Sequence, residues 1–483
     1  MKRRKTVCGI LLLVLLVTLA ACGKSGTEPA AKSASKSGQE KTTQNETKLK
    51  NKGSASPQTS APTEPVKEEN PTALQEYLAF LRDENTPHKK PIRVLDDRGA
   101  ESPAAPDGID LMYGSTCTLT EYGIFADMHT EEIPDAAESG QNGGTLTGTV
   151  MTEESGKHVT EFRLIDEKTG EYIVLARYEG VINETASRRI VRGDKLYTVI
   201  SIGDPLKNER VPMILAEFDL KKRGLSEYRI TENGFPYTSV DEMNGCFYVL
   251  CFETSTSSVV YRVNPADRSV KAVLNTETGE SEDGEVLRAL YTADDSLYVL
   301  KLVMESGKAN RLRAERYSDA GTLLWQRDIT EMIRNACGHL WMNEADGNAE
   351  LAMPVSDFAI FGSRYLYYSN YSITKALVDL QTGETVSTLD LCRDINSGKE
   401  TPYFYLAYRD AASAEPAGHI YRLEGGVLKS LPAPGASAGT EVVSLSSAAD
   451  GRVLVGYNSL LEDGIADYKT LQLVVASGIN TQQ

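Results

Sequence analysis

The 483 residues lack any run of about 20 apolar residues, so a standard transmembrane helix is not expected. Histidine is scarce: His88, His129, His158, His339 and His419 are scattered, which makes a structural zinc site unexpected. None of HExxH, GxSxG, a Walker loop or a dinucleotide fingerprint occurs where its strand–helix context could exist. Basic residues are outnumbered, 51 Lys and Arg against 68 Asp and Glu, for a net charge of −17. That balance argues against binding nucleic acid or anionic lipid through a basic footprint. The seven cysteines include no CxxC pair, and the core candidates Cys117, Cys246, Cys251, Cys337 and Cys392 are odd in number and irregularly spaced. They are expected to act as apolar core residues rather than as a disulfide framework.

What is present begins with an address. Lys2, Arg3, Arg4 and Lys5 precede an apolar run from Val7 to Leu19, too short to span a bilayer and fit for a signal-peptide core. The run ends in Leu19-Ala20-Ala21-Cys22, and this segment resembles a bacterial lipoprotein signal. The resemblance implies cleavage before Cys22 and a diacylglyceryl group on its thiol, which carries two acyl chains such as palmitate. Two acyl chains hold a protein stably at a membrane. The expected location is therefore the cell membrane, lipid-anchored and facing the extracytoplasmic side. Residues 22–70 are rich in Ser, Thr, Lys, Gln, Glu and Pro and almost free of large apolar side chains. They read as a disordered tether with a reach on the order of 40 Å. Without residues 1–21 the charge is −21, with 47 basic against 68 acidic side chains.

The remainder repeats. An alternating β run ends in a turn residue, a polar turn follows, and a second β run leaves it. Asp166, Asp219, Asn264, Ser318, Asp379 and Glu424 anchor these turns, at steps of 53, 45, 54, 61 and 45 residues. Asp and Asn start turns and the following Gly supplies positive φ, so each unit contains a hairpin. Upstream of most copies lies a more apolar strand, as in residues 195–200, 246–251, 296–301, 364–368 and 452–457. Roughly fifty residues and four short strands per unit describe an all-β fold, a β-propeller of about seven four-stranded blades over residues 91–483. Residues 318–325, ending in Trp325, resemble the hairpins of quinoprotein-type propellers, a likeness that concerns the fold and not an activity.

The last unit runs out after three strands, so a strand from the other end of the chain is expected to close the ring. Residues 115–120 are the first candidate and residues 91–95 the second. A short amphipathic helix is expected over residues 71–90, with Leu74, Tyr77, Leu78 and Leu81 on one face.

Fragments with catalytic spacing do not assemble. Ser372-Ile-Thr-Lys375 has the S-x-x-K spacing of penicillin-binding enzymes, but Lys168-Thr-Gly170 precedes it and occupies a turn, the reverse of that family's order. Asp294-Asp295, the acidic stretch 344–350 and Glu462-Asp463 lack EF-hand spacing; no cofactor is expected, and calcium at most in a structural role. Candidate ligand-binding residues sit in connections assigned to one face: His339 and Trp341 in the insertion 335–354, Asp204, Lys207 and Arg210 in a second, Arg409 and Asp410 in a third. The function expected is a monomeric, non-catalytic binding module for a protein or cell-wall glycan partner. The alternatives are an extracellular glycoside hydrolase or lyase and an assembly factor for exported proteins.

Overall fold

The computed structural model describes residues 88–111, 117–132, 157–179, 182–184, 188–202, 211–253, 257–277, 284–305, 308–337, 357–370, 374–387, 389–406, 418–461 and 466–479. The signal segment, tether, Cys22 and most of the expected helix lie outside them. His88–Lys90, assigned by the sequence to the end of that helix, instead form a strand paired with Ile109–Leu111.

The sheets form seven four-stranded blades in a ring. Blade 1 runs from the inside outward through Cys117–Thr120, Gly123–Glu132, Lys157–Ile165 and Tyr172–Glu179. Blade 2 has Ile190–Arg192 inside, then Lys195–Ile202, Val211–Asp219 and the first half of Gly224–Met243. That long strand crosses to blade 3, where its second half lies inside Cys246–Phe252, Ser257–Asn264 and Ser269–Glu277. Blade 4 comprises Gly284–Ala293, Ser296–Glu305, Lys308–Tyr317 and Leu323–Asp328. Blade 5 comprises Asp357–Phe361, Tyr365–Asn370, Thr374–Asp379 and Thr385–Ser387. Blade 6 comprises Leu391–Arg393, Tyr403–Leu406, His419–Glu424 and Val427–Pro432. Blade 7 supplies Thr440–Ser447, Val453–Leu460 and Ala466–Ala476.

All six turn anchors fall between the third and outer strands of blades 1 to 6. The reason is visible at Asp166, whose Oδ1 accepts from the backbone N of Lys168 and Thr169 while its carbonyl accepts from Gly170. Asp379 repeats the arrangement with Gln381 and Gly383. The second strands are apolar on both faces because each blade is covered by two neighbours. In Cys246–Phe252, Cys251 packs toward the core shared with blade 2 and Cys246 toward the core shared with blade 4. The two thiols thus face opposite ways, and both are buried and free.

Ring closure differs from the first expectation. Cys117–Thr120 is the inner strand of blade 1, drawn into a local hairpin by the two-residue turn 121–122. Gly123 leaves that turn at φ 127°, where a Cβ would stand 2.4 Å from the Ile165 carbonyl oxygen, so only glycine fits. The runner-up closes the ring: Ile92–Leu95 pairs with residues 473–476 of blade 7, parallel rather than antiparallel. Its residues Ile92, Val94 and Leu95 are buried against the blade.

A helix that the sequence reading missed, Thr330–Cys337, follows blade 4, and the insertion assigned as loop from Asn335 begins inside it. Ile329, Ile333 and Ala336, spaced as one helical face, bury it against the core of blades 4 and 5.

Candidate functional site

The inner strands present their polar side chains close to one another, and a network of charge joins them. Arg188, immediately before blade 2, is 3% exposed. Its Nη1 lies 3.3 Å from Asp241 Oδ2 of blade 3, and its Nη2 donates to Asp357 Oδ1 of blade 5 at 3.0 Å and to the Phe358 carbonyl at 3.2 Å. Arg393 of blade 6 grips the same Asp357 in bidentate fashion, both bonds at 2.9 Å. Lys399, in the connection between the first two strands of blade 6, reaches back to blades 3 and 4. Its Nζ donates to the Thr292 carbonyl at 2.7 Å and to Thr292 Oγ1 at 2.6 Å, with Asp241 Oδ2 at 3.3 Å. All three cations stand around one buried ring, that of Tyr291, at 5.1, 5.6 and 5.1 Å for Arg188, Arg393 and Lys399.

Electrostatics follow from this burial. Desolvation pushes the Asp357 carboxyl up to about 6, against the pull of Arg188. Burial alone would lower Arg188, but Asp357 and Asp241 outweigh it and raise the guanidinium. Tyr291 is raised by burial well above the usual phenol range. Asp394, 1% exposed, is likewise pushed up to about 6 by burial, and its Oδ2 has no hydrogen-bond partner.

The adjacent Arg189 makes a second tie. Its Nη2 reaches Asp127 Oδ1 at 2.5 Å and its Nη1 the Phe125 carbonyl at 3.3 Å. Asp127 also meets His129 Nε2 at 2.7 Å, while His129 Nδ1 meets Thr160 Oγ1 at 2.9 Å. Although burial opposes it, Arg189 and His129 hold Asp127 well below the usual carboxylate range. Asp127, His129 and Thr160 all belong to blade 1, so it is Arg189 that carries this tie toward blade 2.

The turns between first and second strands are stitched to one another. Tyr122 Oη donates to Asp194, Arg192 to Glu242, Asn244 to Asp295, and Ser363 to Asp294. Arg452 of blade 7 pairs with Glu167 at 2.5 Å and donates to the Thr120 carbonyl of blade 1 at 2.8 Å, across the seam. Asp294 and Asp295, considered for calcium in the sequence, are thereby engaged by neighbouring turns. Among the described residues no group of three or more His, Cys, Asp or Glu is placed to hold a metal ion.

Every ligand-binding candidate read from the sequence lies outside the described residues: Asp204, Lys207 and Arg210 in 203–210, His339 and Trp341 in 338–356, Arg409 and Asp410 in 407–417. The axial network was not anticipated. Its sequence signal is a single charge inside an apolar strand, as at Val240-Asp241 and Asp357-Phe-Ala-Ile-Phe361, and the adjacent arginines 188 and 189.

No family model matches the chain, and no curated protein matches it. Solved structures do. The WD40 β-propeller domain of Doa1 is 10% identical, with 66% of this chain and 88% of that one covered and a TM-score of 0.32. An α-L-arabinofuranosidase from Fusarium graminearum is 11% identical, with 60% and 91% covered and a TM-score of 0.32. An acylaminoacyl peptidase from Pyrococcus horikoshii is 13% identical, with 56% and 49% covered and a TM-score of 0.31. Likenesses of this degree say nothing about activity, and the class of the protein, a seven-bladed β-propeller, rests on its own strand pairing.

Proposed function

We propose that this chain is a lipid-anchored extracytoplasmic protein whose propeller is a non-catalytic binding module for a protein or cell-envelope partner. The observation that carries the reading is the inequality of the two ends of the ring. One end carries the tight turns 121–122, 193–194, 244–245 and 294–295, bonded from blade to blade, with the longer connection 394–402 of blade 6 as the exception. Connections between second and third strands belong to the other end, and they include the long spans 133–156, 203–210 and 407–417. A rigid end that presents longer connections at the opposite end suits recognition. The axial carboxylates Asp241 and Asp357 are held by Arg188, Arg393 and Lys399, which leaves this pair unsuited to the acid and nucleophile roles of glycoside cleavage.

Anchoring is assigned to acylated Cys22, with residues 22–70 as the tether, and the folded part acts as a monomer because its ring closes on its own N-terminal strand. Kinship with quinoprotein-type repeats is supported by the 318–325 hairpin, whose Trp325 packs against the core of blades 4 to 6. Two measurements test the reading. Cys22→Ala should release the protein from the membrane fraction, and retention there would contradict the anchor. Trp341→Ala and the pair Asp204→Ala/Arg210→Ala should weaken partner capture by at least about tenfold. Unchanged capture would contradict the choice of face.

A further inference from the structure

Lys375 and Cys392 belong to neighbouring blades, the third strand of blade 5 and the inner strand of blade 6. Lys375 Nζ lies 2.8 Å from Cys392 Sγ, the length of an ordinary N–H···O bond although sulfur is the larger atom. The lysine side chain is 2% exposed, so its amine is held against the thiol with little freedom to leave. Cys392 itself is only half-buried. Asp390 completes the group: its Oδ1 is 3.6 Å from Nζ and makes no hydrogen bond. Among the described cysteines, Cys246 and Cys251 are buried in apolar surroundings and Cys117 is pushed up to about 12 by burial, so none of them shares this combination.

We propose that Lys375 and Cys392 are a modification site, at which a peroxide converts the contact into a covalent S–N bond between blades 5 and 6. In the first step the sulfur attacks one peroxide oxygen. An S–O bond forms, the O–O bond breaks, and the departing hydroxide takes the thiol proton to leave as water, giving a sulfenic acid. In the second step the Lys375 nitrogen, its ammonium proton taken by Asp390, attacks that sulfur. The S–N bond forms, the S–O bond breaks, and the hydroxide released takes a nitrogen proton and leaves as a second water. Asp390 then returns its proton to solvent. One thiol, one amine and one hydrogen peroxide thus give one sulfenamide and two waters, with sulfur oxidised by two electrons and peroxide reduced by two. The product nitrogen carries no charge, so the link removes positive charge from beside Asp390 and from the surroundings of Asp357, which feels Lys375 in the reduced form.

The test uses the full-length protein treated with a small excess of hydrogen peroxide, alkylated, digested with trypsin and analysed by mass spectrometry. The expected product is one peptide, residues 365–393, left uncut after Lys375 and bridged internally to Cys392, two hydrogens lighter than its linear form and returned to that mass by dithiothreitol. Oxidation should also raise Tm by roughly 2–5 °C, as a cross-link between neighbouring blades does, and Cys392→Ser should abolish both effects. Sulfinic or sulfonic acid at Cys392 with normal cleavage after Lys375 would overturn the proposal. A linked product heavier by one oxygen would overturn the direct S–N bond. The mass measurement needs only the native sequence, so it stands even where the Cys392→Ser variant folds poorly.

Discussion

Arg188 and Asp357 are separated by 169 positions in the chain and three blades in the ring, yet their side chains meet at 3.0 Å. The contact links two blades that are not neighbours and is shared with Asp241 and Arg393. Breaking a buried pair from one side leaves uncompensated charge, at a cost of about 3–5 kcal/mol. Arg188→Leu should therefore lower the free energy of unfolding by that amount in a urea titration. Combined with Asp357→Asn, the loss should be smaller than the sum of the two single losses. Additive losses would show that the two residues act independently.

Asp394 makes stability depend on pH in a defined direction. Its carboxyl ionises near pH 4 in the unfolded chain but near 6 in the fold. Between those values the fold retains a proton that the unfolded chain has released, so stability falls as pH rises through this window and is level above it. Asp394→Asn should recover on the order of 2–3 kcal/mol at pH 8 and nothing below pH 4. A variant whose profile parallels the native one would contradict this account.

Opposite in sign are Asp166 and Asp219, held low mainly by backbone N–H donors from Thr169 and Lys222. Their contribution is present above the ordinary carboxylate range and is lost as pH falls through it. Replacing both by Ala should flatten the acid limb of a Tm-against-pH curve, and an unchanged acid limb would assign acid unfolding to other groups.

The closing strand should decide whether the propeller stays monomeric. A chain starting at residue 88 retains Ile92–Leu95, whereas one starting at residue 97 bares the outer edge of Ala466–Ala476. Exposed edges pair with other chains. The longer protein should elute as a monomer and the shorter as aggregates in size-exclusion chromatography. Monomeric behaviour of both would mean that the parallel pairing is dispensable.

Glycine positions offer a finer check. Gly123→Ala must push against the Ile165 carbonyl at a φ of 127°, whereas Gly362→Ala at φ 53° meets nothing within 4 Å. The first should cost clearly more than the ~1 kcal/mol expected of the second. Equal melting temperatures would contradict the tight hairpin of blade 1.

How much of this was legible in the sequence depends on the range of the interaction. The hairpins were readable because the Asp166 and Asp379 carboxylates bond to backbone only two or three residues away, a rule that survives divergence. The paired apolar faces of Cys246–Phe252 were readable for the same local reason. Closure was assigned to the wrong strand first because Cys117–Thr120 and Ile92–Leu95 carry similar patterns, and only the turn after Thr120 separates them. The helix Thr330–Cys337 is short and sits beside a strand, so its period of three and four residues is brief. Nothing local marks Arg188, Asp241, Asp357 and Arg393 as partners, since each is one charge in a different blade. The loop candidates, from Asp204 to Trp341 and Asp410, rest on sequence alone.

In-cell crosslinking of the full-length protein, followed by mass spectrometry of the captured peptides, tests the central claim most directly. A binding module predicts one dominant protein or cell-wall partner, linked through residues 203–210, 338–356 or 407–417. No reproducible partner, together with turnover of a glycan by the purified protein, would contradict it.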